Sequence, residues 1–143
     1  GRTFVFTFRK AQKDRFFPCD LKNLNIIAAG ASRCITDAKE LKKFDKEYKK
    51  ALESVIKPGK RYYVNLINRG NDAYVCDVSD PKSNLRLDLV AAGFAVPITD
   101  DSELLLKATE EAKEAKRGMY SAKFWDVTNC ILNGVPMPKK IDE

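Results

Sequence analysis

The first residues of the chain follow a period of two. Phenylalanine stands at every second position from Phe4 to Phe8, which is typical of a half-buried strand. The polar residues 11–15 predict a turn, and the apolar stretches 16–21 and 24–29 predict a second and a third strand. The first thirty residues are therefore expected to contain three strands.

A period of three to four residues replaces this alternation after residue 36 and predicts a long amphipathic helix. Thr36 or Asp37 is expected to cap its first turn, and Pro58 with Gly59 ends it. The apolar face comprises Ala38, Leu41, Phe44, Tyr48, Ala51, Leu52 and Val55.

The second half predicts strands over residues 61–67 and 73–78 joined by a tight turn, a short helix capped by Asn84, and a strand at 94–96. A last helix is expected from Asp100 or Asp101 to Gly118, followed by an extended tail from Phe124. This order predicts an α+β fold, a small barrel with flanking helices. The residues expected to be buried are Val5, Ile26, Val64, Leu66, Val75 and Phe94 in the barrel, with Leu41, Phe44, Leu89 and Ala112 from the helices.

Composition narrows the possible chemistry. The 143 residues suit one domain and contain no histidine, which excludes histidine-based nucleophilic, acid–base and metal sites. No apolar run reaches the roughly 18 residues of a membrane span. The four cysteines are widely spaced and would permit two disulfides, but a chain of this size does not require them. We therefore expect reduced thiols in an intracellular protein, cytoplasmic or mitochondrial.

Charge is distributed unevenly along the chain. Residues 1–61 hold 16 Lys/Arg and 7 Asp/Glu, whereas residues 62–143 hold 10 and 13. A basic surface of this kind suits a phosphate backbone or an acidic protein partner. Six lysines share the helix face opposite the apolar one: Lys39, Lys42, Lys43, Lys46, Lys49 and Lys50. The alternative is a solvated helix face screened by nearby glutamates and aspartates.

Two segments of the second half resemble the staphylococcal-nuclease family. Residues 85–96, LRLDLVAAGFAV, are similar to the helix that follows that family's hairpin, and residues 108–121, ATEEAKEAKRGMYS, are similar to its closing helix. Tyr74 matches a tyrosine of the strand after the hairpin. The resemblance implies a five-stranded OB-type barrel with about three helices over residues 1–121, and a C-terminal extension or docking tail over 122–143.

The active members of that family are calcium-dependent nucleases, and their site is degraded here. Asn25, Gly30 and Arg33 stand where the family has an arginine, a metal-binding aspartate and a glutamate. We therefore expect no catalytic residue, no metal, no cofactor and no enzymatic activity. The alternative is a surviving calcium-dependent nuclease.

The resemblance is nearest to the non-catalytic barrels of Tudor–staphylococcal-nuclease proteins, which implies binding of RNA or single-stranded nucleic acid within a larger protein assembly. The rival interpretation is a structural accessory subunit that contacts proteins alone. Aromatic residues of the barrel are stacking candidates, although burial in the core is the commoner role. The candidate nucleic-acid-binding residues are Arg9, Lys13, Arg15, Phe17, Arg33, Lys42, Lys46, Lys49 and Tyr63.

Overall fold

The computed structural model describes residues 4–10, 13–57, 59–70, 72–98 and 102–138, with the backbone alone for residues 7–10 and 13–17. Within these ranges the fold is α+β, as predicted. The strands are β1 (Phe4–Lys10), β2 (Lys13–Leu21), β3 (Leu24–Ile26), β4 (Tyr63–Arg69), β5 (Tyr74–Ser79) and β6 (Ala95–Pro97). The helices are α1 (Ala31–Cys34), α2 (Ala38–Leu52), α3 (Leu85–Ala91), α4 (Glu103–Glu114) and α5 (Trp125–Asn133), with single 3₁₀ turns at Ile27–Gly30 and Gly118–Tyr120.

Two antiparallel hairpins form the main sheet, whose strand order is β1-β2-β5-β4. They are joined by a short parallel ladder in which Cys19, Asp20 and Leu21 of β2 pair with Tyr74, Val75 and Cys76 of β5. A second, two-stranded sheet pairs β3 with β6. In the described part of the chain no ladder joins β1 to β4, so both remain edge strands.

The main sheet curls so that its two edges approach each other. The ring of Phe6 on β1 meets that of Tyr62, just before β4, edge to face at a centroid distance of 6.1 Å. Phe4 and Phe6 pack against the core. Val5 points to the opposite side and is 65% exposed, because successive side chains of a strand alternate between faces. The prediction that Val5 is buried is therefore wrong.

The burial predicted for Leu66 is also wrong, since its side chain is 51% exposed. Leu66 lies on the edge strand β4, where the register shifts and leaves Ile67 without a partner on β5. Val64 and Val75 are only partly buried. Burial is confirmed for Ile26, Phe44, Leu89, Phe94 and Ala112, whereas Leu41 is half-buried.

Helix α2 begins as the sequence predicts. The Asp37 side chain accepts hydrogen bonds from the backbone N–H groups of Lys39 and Glu40, at 2.8 and 3.1 Å, which satisfies two otherwise unpaired donors of the first turn. The ring of Phe44 packs against Phe124, and that of Tyr48 against Phe94. These contacts fix α2 to the core by one face.

Several local predictions need correction. Helix α2 ends at Leu52, before the predicted stop at Pro58 and Gly59, and Pro58 itself lies outside the described residues. Helix α4 is capped by Ser102, and the predicted caps Asp100 and Asp101 lie outside the described residues.

The third strand is shorter than expected because residues 27–30 form a 3₁₀ turn and Ala31 starts α1. The second strand begins at Lys13, so residues 13–15 are strand and not turn. The extended tail is wrong for Trp125–Asn133, which is helix α5; Phe124 and Val127 are buried in the same core as the rest of the chain.

All four cysteines form disulfides, so the expectation of reduced thiols is wrong. Cys19 on β2 is bonded to Cys76 on β5, and Cys34 on α1 is bonded to Cys130 on α5, with Cα–Cα distances of 5.6 and 6.1 Å. Each bond joins elements that are far apart in sequence, by 57 and 96 residues. Spacing along the chain carries no signal of such pairing, since contact in space decides it.

Two glycines allow the turn after α3 to lie against the turn after α4. A Cβ at Gly93 would meet the carbonyl oxygen of Arg117 at 2.1 Å, and one at Gly118 would meet that of Ala92 at 2.3 Å. The backbone N–H of Met119 donates to the Gly93 carbonyl at 3.0 Å. Both glycines have positive φ, +85° and +55°. This contact joins residues 85–96 to residues 108–121, the two segments of the family resemblance.

We expect Gly93→Ala to lower the free energy of unfolding by about 3 kcal/mol or more. The strained φ accounts for about 1–2 kcal/mol, and the clash with the Arg117 carbonyl adds the rest. Gly59→Ala is the matched control, because Gly59 has φ +83° but a Cβ added there would meet no atom within 4 Å. Urea unfolding of both variants measures the difference, and equal losses would contradict the close approach.

Candidate nucleic-acid interface

Six lysines form one face of α2, which we call the lysine face: Lys39, Lys42, Lys43, Lys46, Lys49 and Lys50. At about 3.6 residues per turn they occupy an arc of roughly 120°, opposite the buried Phe44 and Tyr48. All six are exposed. The fifteen residues of the helix extend for about 22 Å, long enough to follow several phosphates of a single strand.

The lysine face forms no close ion pair within the described part of the chain. Among the described residues, none of the six lysines lies within 4.0 Å of a carboxylate oxygen, whereas Lys60 pairs with Asp80 and Lys113 with Glu110. Lys49 and Lys50 lie in the last turn of α2, where positive charge also favours the helix dipole. The other four lysines form no ion pair with a described carboxylate and are exposed, so their ammonium groups are accessible to a polyanion.

Arg33 lies on α1, apart from the lysine face, and lines a cavity of about 450 Å³. Asn25 and Gly30 line the same cavity. The three positions aligned with the family's arginine, aspartate and glutamate thus come together in space. They supply one amide, one residue without a side chain and one guanidinium. A calcium ion is bound by six to eight oxygen ligands, and these three residues offer a single side-chain oxygen and a positive charge.

Two side chains, those of Arg33 and Ile131, lie close to the position that a side chain at Gly30 would take. A Cβ there would lie 2.8 Å from Nη2 of Arg33 and 2.9 Å from Cγ2 of Ile131, so an aspartate would displace both. In the part of the chain that the structure describes, no three His, Cys, Asp or Glu residues are grouped so as to hold a metal ion. The residues present therefore do not fit the family's calcium site.

Tyr63 is an exposed aromatic residue and not part of the core. It begins β4 with 70% of its surface exposed. Its neighbour Tyr62 is half-buried against Phe6, so the two adjacent tyrosines have different roles. An aromatic ring that is exposed to solvent can stack on a base.

An ion pair and two hydrogen bonds to Asp80 fix the backbone close to Tyr63. The Lys60 ammonium lies 2.5 Å from the Asp80 carboxylate, which also accepts the backbone N–H groups of Lys82 and Ser83 at 2.8 Å each. The hydrogen bond from Lys60, followed by those two backbone donors, lowers the pKa of Asp80 to about 2. The positive charge of Lys60 is thereby compensated by Asp80, so Lys60 does not contribute to the basic surface.

The remaining predicted residues are located by their backbone alone. In the register of β1 and β2, Arg9 pairs with Asp14, Lys10 with Lys13, and Phe8 with Arg15. The side chains of Arg9, Lys13, Arg15 and Phe17 lie outside the described residues. Their roles in binding stay predictions.

Two features of the surface could not be predicted from the sequence. The edge strand β4 exposes Leu66 and Ile67 as well as Tyr63, and a cavity of about 560 Å³ is lined by residues of α4 and α5. Both depend on which faces remain uncovered after packing, and a single sequence does not report that. None of the described helices combines the length and apolarity that crossing a membrane requires.

No model of a known protein family matches the chain, and no curated protein matches it with significance.

Proposed function

We propose that this chain is a non-catalytic domain that binds RNA or single-stranded nucleic acid through the lysine face of α2. The observation that carries the proposal is the set of six exposed lysines, none of them paired with a described carboxylate, on one side of a well-anchored helix. Phosphate neutralisation by such a surface supplies affinity without base specificity. Tyr63 adds a stacking ring.

An OB-type barrel related to staphylococcal nuclease is the fold we propose behind this function. The parallel pairing of β2 with β5, the curl that brings Phe6 to Tyr62, and the contact of Gly93 with Gly118 all support it. OB-type barrels that are partly open bind single strands on their strand surface. In this proposal the barrel is a scaffold. Because Gly30 and Arg33 carry no carboxylate, the domain binds nucleic acid but does not cleave it.

The disulfides bear on where such a domain would act. Disulfides persist mainly in oxidising compartments, and this chain has two of them and no free cysteine. The predicted cytoplasmic or mitochondrial location stays untested, and the two bonds weigh against the cytoplasm.

A second function is favoured by one observation, the apolar edge of β4. Tyr63, Leu66 and Ile67 are exposed on a strand whose outer edge pairs with nothing in the described structure. Such edges accept an added strand from another protein. This arrangement suits the structural accessory subunit, in which the domain contacts proteins alone.

We expect the triple variant Lys42→Glu, Lys46→Glu, Lys49→Glu to lose most of its affinity for single-stranded RNA. Four or five phosphate contacts give a slope of about −3 in log affinity against log salt concentration, and the variant should flatten it. The measurement is fluorescence anisotropy with a labelled oligonucleotide at several salt concentrations.

The matched control for this triple variant is Lys82→Glu, Lys107→Glu, Lys123→Glu, which changes the net charge equally at exposed lysines outside α2. Equal losses in both triple variants would mean that net charge, and not the lysine face, decides binding. Weak RNA binding by the unmodified chain, together with tight, salt-insensitive association with a protein, would favour the structural subunit.

Tyr63→Ala should cost about 1–3 kcal/mol of binding free energy through lost base stacking, with the salt slope unchanged. Its effect on unfolding should be small because Tyr63 is mostly exposed. Tyr63→Phe should keep the affinity, and Ile98→Ala, an exposed apolar residue outside β4, should have no effect. Full affinity in Tyr63→Ala would remove Tyr63 from the interface.

We expect no cleavage of DNA or RNA in the presence of calcium, because Asn25, Gly30 and Arg33 offer no carboxylate to the ion. A gel assay with radiolabelled single-stranded substrates checks this. Calcium-dependent turnover that disappears on changing Asp14 or Asp20 would show that the active site survives in another register.

A further inference from the structure

The two disulfides differ in their exposure to solvent. Cys19 and Cys76 are completely buried, with 0% of either residue exposed. Cys34 and Cys130, in contrast, each remain partly exposed. A disulfide is opened by a thiolate that attacks one of its sulfur atoms directly, so the rate depends on access to the bond. The bond between α1 and α5 is therefore the more accessible of the two.

The Cys34–Cys130 bond joins two walls of the cavity of about 450 Å³. Arg33, which precedes Cys34 in the chain, lines one wall, and Ile131, which follows Cys130, lines the other. The two walls are close together, because a Cβ at Gly30 would lie 2.9 Å from Cγ2 of Ile131. The disulfide therefore fixes the separation of α1 from the end of α5.

The N-terminal half of α5 has attachments to the core that do not involve the disulfide. Phe124, which precedes the helix, packs its ring against that of Phe44. Val127 is buried in the core. The hydroxyl of the fully buried Thr128 donates a hydrogen bond to the backbone carbonyl of Met119. This half of the helix is therefore expected to stay in place when the disulfide is opened.

The C-terminal half of α5, residues 129–133, has fewer attachments. Its described hydrogen bonds are local: the side chain of Asn133 donates to that of Asn129, and the backbone N–H of Gly134 donates to the carbonyl of Cys130. Besides the disulfide, the partly buried Ile131 is what packs this half against the core in the described structure. The disulfide is thus the main connection between residues 129–133 and the rest of the fold.

We propose that Cys34–Cys130 is a redox-sensitive latch, which a dithiol opens while Cys19–Cys76 stays intact. In the open form residues 129–133 detach from α1, and the two walls of the cavity separate. The rest of the fold is retained, because the buried disulfide still joins β2 to β5 and Thr128 still holds the first half of α5. The latch does not depend on nucleic-acid binding.

The reaction is a thiol–disulfide exchange in two steps. A thiolate of the dithiol attacks one sulfur of the Cys34–Cys130 bond, forms a mixed disulfide with that cysteine and releases the other cysteine as a thiolate, which takes up a proton. The second thiolate of the dithiol then attacks the mixed disulfide and releases the remaining cysteine. The dithiol is oxidised to its own disulfide, and the two cysteines gain two electrons and two protons. The reverse exchange closes the latch again, since the buried neighbours Ile35 and Thr128 hold both cysteines near each other.

The test uses dithiothreitol as the dithiol, on the whole chain and without denaturant. Thiols released at each time are trapped with iodoacetamide and measured by mass spectrometry, since trypsin places each of the four cysteines on a separate peptide. We expect Cys34 and Cys130 to be labelled together, about tenfold faster or more than Cys19 and Cys76. Equal rates for the two bonds, or earlier labelling of Cys19 and Cys76, would overturn the proposal.

Hydrogen exchange separates a latch from a bond whose opening changes nothing. After selective reduction, amide exchange in residues 129–133 should rise about tenfold or more, while α3 keeps its protection. The double variant Cys34→Ser, Cys130→Ser should show the same pattern without a reductant, and the unmodified chain with oxidised dithiothreitol is the control and should keep full protection. Unchanged exchange in residues 129–133 after reduction would contradict the latch, and so would loss of protection in α3 as well.

Discussion

The curled sheet depends on a short parallel ladder between β2 and β5. Only three residue pairs join the two hairpins there, and the Cys19–Cys76 disulfide crosslinks them. In the chain-entropy model a crosslink that closes a loop of 57 residues stabilises the fold by about 4 kcal/mol. Both cysteines are fully buried. This junction holds β1 and β4 at opposite edges of one sheet and so brings Phe6 to Tyr62.

That junction and the second disulfide also determine where the two cavities and the exposed strand edge lie. Cys34–Cys130 fixes α5 to α1, so Ile131 lines the same cavity as Arg33, and Leu132 lines both cavities. The same curl leaves β4 at an edge with Tyr63 outward. The lysine face, in contrast, depends on α2 alone, because Phe44 and Tyr48 fix the opposite side of that helix to the core.

Local signals in the sequence predicted local structure well. Asp37 and Asn84 cap their helices as their positions indicate, since both side chains accept N–H groups of the first turn. What the sequence could not predict depends on distant contacts. Leu66 lies on an uncovered edge, and the cysteines pair across 57 and 96 residues. The exposure of Val5 is a different case, because its alternation with Phe4 and Phe6 already places it on the opposite face of the strand.

The candidate site likewise has parts that the sequence predicts and parts that it does not. The lysine face was predictable because a helix repeats its faces every three to four residues, whereas the exposure of Tyr63 required knowing which strand is at the edge. The cavity beside Trp125 was missed because its segment was expected to be extended, and α5 supplies half of its wall. Gly30 was predicted only as a lost carboxylate; the structure adds that a Cβ there would require Arg33 and Ile131 to shift.

The most direct test of the nucleic-acid proposal is a map of backbone amide shifts during titration with single-stranded RNA. The account predicts that the largest shifts lie in Ala38–Leu52, with a smaller group at Tyr63, and that α5 is unaffected. Shifts confined to the strands β4 and β5 with none in α2, or no shifts at physiological salt, would contradict the lysine face as the binding surface.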